Sequence, residues 1–261
     1  MKLFRSSIAI IMLIAIMSLP VCARMPKEND TIYQVSTIDA LMYGLYDGVS
    51  SIGDLKRHGD TGIGTFDALD GEMVVVDGKV FKVTSDGAAR MAADAETTPF
   101  AAVTHFDKDI SRRITGDMDM SALSALIDSL IPSKNLFYAI RIDGVFSVMK
   151  TRSVPRQQKP YRKLIQVVAE QPVFDFENVR GTVVGFRCPY YVKGSNVPGY
   201  HLHFLNDQRS KGGHVLALLI KDAVVHIDTS AQLRVVLPET GEFLKAEIDP
   251  GAVSDLDKVE K

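Results

Sequence analysis

The segment from Gly199 to Phe204, Gly-Tyr-His-Leu-His-Phe, alternates between histidine and large apolar residues. Successive side chains of an extended strand point to opposite faces of a sheet. The alternation therefore predicts a β-strand with His201 and His203 on one face and the large apolar side chains on the other. This spacing constrains the fold here to a sheet with one apolar and one imidazole-bearing face.

A polar, glycine-bearing run follows this strand, from Asn206 to Gly213, and such a composition is typical of a chain reversal. His214 then opens an apolar segment that extends to Ile220. If that segment pairs back on the first strand, His214 meets the two histidines there. Three converging imidazoles form a ligand set for zinc that leaves one coordination position open.

An ordinary structural role has to be weighed against this metal site. A histidine in a strand is more often half-buried and hydrogen-bonded than bound to a metal, and motifs carry a false-positive risk. A third histidine across a short glycine-rich connection favours the metal site. His226, in a later strand, is a weaker rival ligand because it lies farther along the chain from the pair. We interpret His58 as solvated and His105 as structural.

Length and charge narrow the class of protein. A chain of 261 residues suits one large domain or two small ones and can bury a substantial core. The net charge of -2 does not indicate a nucleic-acid partner, because such proteins usually carry an excess of basic residues. Cys188 ends an apolar strand, and we interpret it as a small buried residue rather than a nucleophile.

The N-terminus has the pattern of a signal peptide spanning residues 1–23. Lys2 and Arg5 precede an apolar stretch, Ile8 to Met17, that is too short to span a bilayer comfortably. A small-residue cleavage site follows and ends at Ala23. We expect an exported protein, periplasmic or secreted, with no stable membrane insertion after cleavage. Lipidation at Cys22 is the less favoured alternative, because Pro and Val precede it.

The remaining pattern predicts an α/β fold, rich in β-hairpins and with few helices. A helix with Ser36 as its N-cap is expected around Ile38 to Leu45. The Asp-Gly pairs at 70–71 and 77–78 predict hairpin turns between short strands. Glu72 opens one of those strands, and from the pattern alone we expect its carboxylate to point to water.

Further turns and a domain boundary are expected along the chain. Asp143-Gly144 predicts another hairpin, and Lys221-Asp222 predicts a turn between two apolar strands. The basic, proline-bearing segment 150–163 is interpreted as a solvated connector. We therefore expect an N-terminal mixed-sheet domain at residues 31–155 and a C-terminal zinc-binding β domain with a polar, acidic tail at residues 156–261.

The pattern leaves the chemistry of the metal site open. Three neutral histidines do not neutralise the charge of Zn²⁺, which then acts as a strong Lewis acid with room for water or substrate. The ion can supply hydroxide for a hydrolysis or hydration, or it can polarise a carbonyl group. An exported zinc hydrolase or hydratase, and a zinc-binding protein without catalytic activity, therefore both remain alternatives.

Several separate blocks resemble the acetolactate decarboxylase family, in the same order and from about Ile32 to the C-terminus. They include the histidine strand together with Gly212-Gly213-His214. The other blocks are Gly62-Ile63-Gly64-Thr65-Phe66, Leu69-Asp70-Gly71-Glu72, Phe137-Tyr138-Ala139-Ile140-Arg141-Ile142-Asp143-Gly144, Lys150-Thr151-Arg152 and Arg180-Gly181-Thr182-Val183-Val184-Gly185-Phe186.

This resemblance implies a function and a set of site residues. The family converts 2-acetolactate, a small-molecule substrate, to acetoin and carbon dioxide at zinc held by three histidines, which fall on His201, His203 and His214. The resemblance places a catalytic arginine at Arg152 and a catalytic glutamate at Glu72. A second catalytic glutamate, from the C-terminal tail, falls on Glu260. The resemblance also implies two sheet-centred domains with the active site in the cleft on the C-terminal domain, and a homodimer.

Overall fold

The computed structural model describes residues 30–239, 241–248 and 256–260. The expected signal peptide, including Cys22, lies outside this range. Within the described residues, no helix is both long and apolar enough to cross a membrane. The helices are α1 (Ile38–Tyr43), α2 (Ile52–Leu55), α3 (Met120–Leu130), α4 (Leu164–Val168) and α5 (Leu256–Glu260).

The strands of the described chain are much more extensive than its helices. In chain order they are β1 (Thr31–Val35), β2 (Ser50–Ser51), β3 (Thr61–Thr65), β4 (Glu72–Val76), β5 (Lys79–Val83), β6 (Ala89–Met91), β7 (Thr97–Thr98), β8 (Ala101–Thr104), β9 (Ile110–Asp119), β10 (Phe137–Arg152), β11 (Val173–Cys188), β12 (Gly199–Asn206), β13 (Gly212–Ser230) and β14 (Gln232–Val236). The expected fold class, rich in sheet with few helices, is confirmed.

Two large sheets contain most of these strands. The first has seven strands in the order β14-β1-β8-β3-β4-β5-β6, and it is mixed because β14 runs parallel to β1. The second has five strands in the order β10-β11-β12-β13-β9, with β10 also paired to β13. A short sheet joins β2 to β7. The hairpin turn predicted at Asp77-Gly78 is present, with both residues at positive φ.

The two large sheets pack against each other through one apolar cluster. Val74, Val76 and Phe81 of the first sheet meet Ala139 and Phe186 of the second in this cluster. Helix α3 covers the other face of the second sheet, where Leu123 and Ile127 are fully buried. A further cluster, formed by α1, α4 and α5, lies beside the sheets. The second sheet therefore buries apolar side chains on both of its faces, against the first sheet on one side and against α3 on the other.

The helix start and two turns differ from expectation. Thr37, not Ser36, caps α1 by accepting a hydrogen bond from the Ala40 amide. The Asp143-Gly144 pair lies inside β10, which runs without a turn. Lys221-Asp222 likewise lies inside β13, where the register shifts and the strand continues. Both predictions of a turn were wrong. Residues typical of turns also occur inside strands, at points where neighbouring strands approach closely or where a bulge shifts the register.

Gly144 shows why a glycine is needed inside a strand. It is paired with Gly181 on one side and with Ala223 on the other. A Cβ atom at this position would lie 2.4 Å from the Cβ of Ala223. The glycine therefore permits close approach of the strands and does not mark a reversal of the chain.

We predict that Gly144→Ala lowers the free energy of unfolding by about 1–3 kcal/mol, because the added methyl group overpacks the junction of three strands. Urea unfolding followed by circular dichroism measures the change. Val148→Ala, at a 41% exposed position of the same strand, is the matched control and should change stability by less than about 0.5 kcal/mol. An unchanged midpoint for Gly144→Ala would contradict the prediction.

The sheets draw on both sides of the expected domain boundary at residue 155. Strands β9 and β10 precede that boundary and belong to the second sheet, whereas β14 follows it and belongs to the first. The chain therefore passes between the sheets more than once. The division into residues 31–155 and 156–261 stays a prediction about domains, but it does not coincide with the two sheets.

Asp228 of β13 is buried at 3% exposure among other carboxyl groups. Burial raises the pKa of its carboxyl from 3.8 to about 7, an effect increased by the charges of Asp109, Asp30 and Asp107 and opposed by a hydrogen bond from the Asp107 amide. Because the folded pKa is above the unfolded one, the folded state holds this proton more tightly. Stability is therefore lost as the pH rises from 3.8 towards about 7.

We predict that Asp228→Asn removes this loss, because the amide carries no titratable proton. The variant should be more stable than the unmodified protein at about pH 8 and nearly equal to it at about pH 4. Chemical unfolding at both pH values measures the difference. A variant that is less stable at the higher pH would show that the Asp228 carboxylate is favourable in the fold.

Candidate metal centre and active site

Three histidines converge between β12 and β13. His203 and His214 are direct partners in the ladder between these strands, and His201 lies two residues before His203 on the same face. The ring centroids are 5.0–5.3 Å apart, and one nitrogen from each ring lies within 4.8 Å of the others. All three side chains are buried. The geometry predicted from the strand pattern is confirmed.

His201 and His203 have lowered pKa values, and His203 has a fixed ring orientation, as a metal ligand needs. The Nδ1 of His203 lies 2.7 Å from the carbonyl oxygen of Met73 and donates to it, which leaves Nε2 with a lone pair. Within the described residues, this buried Nε2 has no hydrogen-bond partner. Burial, and then the charge of Arg152, lowers the pKa of His201 to about 3. Burial, and then His201, holds the pKa of His203 well below its usual value.

These observations fit a metal ion held by His201, His203 and His214. Neutral imidazoles offer lone pairs, and the orphaned Nε2 of His203 points to an absent partner. The carbonyl of Met73 fixes the tautomer and the ring orientation, as outer-shell groups do for metal-bound histidine. The donor set contains nitrogen ligands alone and therefore suits a borderline-soft divalent ion.

Glu72 lies against this centre from the other sheet. One carboxylate oxygen, Oε2, is 3.5 Å from Nε2 of His203, and Oε1 is 3.8 Å from Nη1 of Arg152. The residue is only 7% exposed. The expectation that Glu72 points to water was wrong. It shares the face of β4 with Val74 and Val76, and that face is covered by the second sheet.

Arg152, the last residue of β10, is 3% exposed and pairs with His214 in the sheet. Its Nη1 donates to Oε1 of Gln171 and its Nη2 donates to the carbonyl oxygen of Val259, both at 2.8 Å. Its buried Nε has no hydrogen-bond partner within the described part of the chain. A buried guanidinium with a spare donor is a docking point for an anionic group.

Helix α5 approaches the centre from the C-terminal tail. Leu256 and Val259 are buried against the cluster formed with α1 and α4, and the carbonyl of Val259 accepts from Arg152. Glu260 belongs to this helix, but its side chain lies outside what the structure describes. The catalytic role expected for Glu260 stays a prediction.

A small cavity connects the polar groups with an apolar wall. Its polar lining includes Glu72, Arg152, His201 and His214. The apolar wall consists of Ile38, Leu41, Leu69, Phe100, Val154 and Leu164. The site can therefore hold a small anionic molecule that also carries apolar groups, with its charge towards Arg152 and its reacting atoms beside the histidines.

The other candidates lie elsewhere. His226, the rival ligand, is hydrogen-bonded to Ser111 across the pair of β13 with β9. His58, expected to be solvated, is half-buried, and its ring stacks on Tyr33 at 3.8 Å between centroids. Cys188 is buried as predicted, and burial raises the pKa of its thiol to about 12, which makes it a poor nucleophile.

The sequence pattern did not identify three groups that orient the site. Gln171 and the carbonyl of Val259 hold the guanidinium of Arg152, and the carbonyl of Met73 holds the His203 ring. Backbone carbonyls have no side-chain signature, so no motif could have marked Met73 or Val259. Gln171 lies between Glu170 and Pro172, after the apolar run that ends at Ala169, and nothing in the spacing distinguishes it.

Comparison with known proteins gives consistent matches. Residues 32–250 match the sequence profile of a family described as Alpha-acetolactate decarboxylase. The chain is 52% identical over 235 residues to the alpha-acetolactate decarboxylase of Methanosarcina mazei, which covers 90% of this chain and 82% of the relative. It is 42% identical over 230 residues to the Bacillus subtilis enzyme, which covers 88% of this chain and 90% of that one.

Solved structures agree with these sequence matches. The crystal structure of alpha-acetolactate decarboxylase from Bacillus subtilis strain 168 superposes with a TM-score of 0.86 at 42% identity, covering 88% of this chain and 99% of that one. A Staphylococcus aureus protein described as similar to alpha-acetolactate decarboxylase also superposes with a TM-score of 0.86, at 33% identity, covering 88% of this chain and all of that one.

Proposed function

The chain belongs to the alpha-acetolactate decarboxylase family and is a carboxy-lyase, and on this premise we propose that it converts 2-acetolactate to acetoin and carbon dioxide at zinc held by His201, His203 and His214. One observation carries the proposal. Two of the three clustered, buried imidazoles, those of His201 and His214, line one cavity with a buried arginine and a buried carboxyl group, and the third, that of His203, lies against the same carboxyl group. A β-keto acid needs a group to bind its carboxylate, a Lewis acid at its ketone and a proton source.

The choice of zinc rests on the donor set. Three neutral nitrogen ligands suit Zn²⁺ and leave a position open for substrate. Held by these histidines, the ion would supply Lewis-acid stabilisation of the negative charge that develops on the substrate's oxygen atoms during decarboxylation. His203 contributes through Nε2, because its Nδ1 is committed to Met73.

Arg152 is the proposed binding group for the substrate carboxylate. Gln171 and the carbonyl of Val259 hold two of its nitrogens, so the guanidinium plane is fixed before substrate arrives. The unpartnered Nε supplies a donor for a carboxylate oxygen. This arrangement sets the carboxylate beside Arg152 and the ketone beside the histidines.

Proton delivery to carbon is the proposed role of a glutamic acid. Glu72 is placed for it because its carboxyl group lines the same cavity and lies 3.5 Å from the His203 ring. Glu260, from the tail helix, is the second candidate. Either group would have to carry a proton when the enediolate forms and to regain one before the next turnover.

The direct test is acetoin formation by purified, zinc-replete enzyme supplied with 2-acetolactate. We expect zinc-dependent turnover that is lost on chelation and regained on addition of Zn²⁺. Ester hydrolysis and hydration of carbon dioxide, assayed with the same preparation, address the alternative of a zinc hydrolase or hydratase. Absence of acetoin from zinc-replete protein would contradict the proposal.

We further propose that the protein is exported by its N-terminal segment and functions as a homodimer. The basic, apolar and small-residue regions within residues 1–23 support export. N-terminal sequencing of the mature protein is expected to begin just after Ala23, and light scattering is expected to give twice the mass of the chain.

A further inference from the structure

The loop that precedes Glu72 has an unusual backbone. Between β3 and β4 the chain forms a 3-10 helix at Asp67–Leu69, in which Ala68 and Leu69 both have positive φ, at 57° and 56°. Residues with a side chain rarely adopt this conformation, and it persists only where the surroundings hold it. Leu69 lines the cavity of the active site, so the shape of this loop bears directly on the site.

Backbone hydrogen bonds hold part of the loop. The amide of Ala68 donates to the carbonyl of Tyr46 at 2.8 Å, and the carbonyl of Ala68 accepts from the amide of Gln157 at 2.7 Å. The hydroxyl of Thr65 donates to the carbonyl of Gly71 at 2.7 Å. These contacts fix the middle and the C-terminal end of the loop. The amide of Asp70 donates to the carbonyls of Phe66 and Asp67, both at 3.3 Å, and its carboxylate is held by charge.

A buried lysine supplies that charge. The Lys82 side chain is 5% exposed, and its Nζ lies 2.9 Å from Oδ2 of Asp70 and 2.7 Å from Oε2 of Glu96. The ammonium also lies 4.5 Å from the centroid of the Phe66 ring. Burying an ammonium group is unfavourable unless it is paired, and here two carboxylates compensate it.

The second of these carboxylates, that of Glu96, is itself held by hydrogen bonds. Glu96 accepts two hydrogen bonds from Arg90, both at 2.8 Å, and one from the amide of Ala93. Hydrogen bonds from Arg90, followed by those from Lys82 and Ala93, lower the pKa of Glu96 to about 2 against the opposing effect of burial. Glu96 is therefore an anion that keeps Lys82 in place.

Lys82 cannot reach the substrate. Its neighbours in β5, Phe81 and Val83, face the second sheet, so Lys82 lies on the opposite face of the first sheet. Any effect of this residue on the reaction must be transmitted through the loop. Asp70 is two residues before Glu72, with Gly71 between them.

We propose that Lys82 is a positioning residue for Glu72. Its ammonium group fixes Asp70 and thereby holds the loop of residues 66–71 in the shape that sets the Glu72 carboxyl group against His203 and Arg152. This inference rests on the role given to Glu72 in the proposed function. A solely structural Lys82 would affect stability and leave turnover by the folded enzyme unchanged.

The first measurement is the kinetics of Lys82→Met as zinc-loaded enzyme. Methionine keeps most of the volume and removes the charge. We expect kcat to fall by about 10- to 100-fold, because a small displacement of a catalytic group has effects of this order. We expect KM to change by less than about threefold, because Arg152 still binds the carboxylate. Zinc content should not change.

Two further variants separate this effect from general damage. Asp70→Asn removes the negative charge from the same contact at a partly exposed position and should reproduce the loss of kcat even if Lys82→Met folds poorly. Arg156→Met is the matched control. Arg156 also approaches Asp70, at 3.5 Å, but its side chain is 57% exposed. The control should therefore lower kcat by less than about threefold.

A double-mutant cycle with Glu72→Gln decides whether Lys82 acts through Glu72. We expect Lys82→Met and Asp70→Asn to cause no further loss of kcat in the Glu72→Gln background, because the group that they position has lost its function. If the losses of kcat multiply in the double variants with Glu72→Gln, the inference is overturned. Unchanged kcat in both Lys82→Met and Asp70→Asn would overturn it as well. Full kcat in Glu72→Gln alone would instead overturn the role of Glu72 in the proposed function, and the positioning of Glu72 with it.

Discussion

His203→Ala is expected to lose both bound zinc and decarboxylase activity. The side chain is 1% exposed, one of its ring nitrogens lies within 4.8 Å of a nitrogen of each of the other two imidazoles, and no other described histidine belongs to this cluster. Two nitrogen ligands cannot complete the first shell of a zinc site. We expect metal affinity to fall by well over about 100-fold, since loss of an outer-shell partner alone costs up to that much.

Zinc content after dialysis, measured by mass spectrometry of the metal, and acetoin formation are the two readouts. His226→Ala is the matched control, because His226 is a strand histidine hydrogen-bonded to Ser111, away from the centre. The control should keep both zinc and activity. Full zinc occupancy in His203→Ala would show that the ligand set has been assigned wrongly.

Arg152→Ala is expected to keep its zinc and lose turnover. Among the described residues lining the site cavity, Arg152 has the one cationic side chain, and it is buried beside the histidines. Removing it leaves the substrate carboxylate without a charged partner in a buried environment. We expect kcat/KM to fall by about 10²- to 10³-fold, as for removal of a preorganised electrostatic contact.

Two comparisons sharpen this test. Arg113→Ala removes a 67% exposed arginine that pairs with Asp222, and it controls for the loss of one positive charge. Gln171→Leu keeps the Arg152 charge but removes the acceptor on Nη1. We expect no effect from the first and a loss of less than about tenfold from the second. Unchanged kcat/KM in Arg152→Ala would remove Arg152 from the mechanism.

The histidine centre could be predicted because its determinants are local. His201 and His203 are two residues apart in one strand, and a short connection leads to His214. The period of a strand fixes which side chains share a face, and the tight reversal brings the third ligand into register. The His203–His214 pairing in the structure follows from this pattern.

Glu72 could not be placed by the same reasoning. The pattern shows a carboxylate at the start of an apolar strand, which is compatible with water or with a buried site. Its burial depends on the second sheet, which packs over Val74 and Val76 of the same face. Family resemblance identified Glu72 and Arg152 as partners, and periodicity did not.

Turn prediction failed for a related reason. Asp143-Gly144 has the composition of a hairpin turn, but Gly144 lies between Gly181 and Ala223 in the middle of three paired strands. The same dipeptide at Asp77-Gly78 does form a turn. Composition alone does not distinguish these cases, because glycine is favoured both where the backbone needs a positive φ and where two strands approach closely.

The sequence by itself determined the sheet-rich fold and the convergence of His201, His203 and His214, since alternation and tight turns act over a few residues. Only the tertiary structure decided what surrounds that centre. Glu72 beside His203, the hydrogen bonds of Arg152 to Gln171 and Val259, and the Lys82–Asp70 contact join residues of separate elements. The group that Val259 contributes is a backbone carbonyl, which has no side-chain signature. Such contacts depend on how whole sheets pack, and no local period encodes that packing.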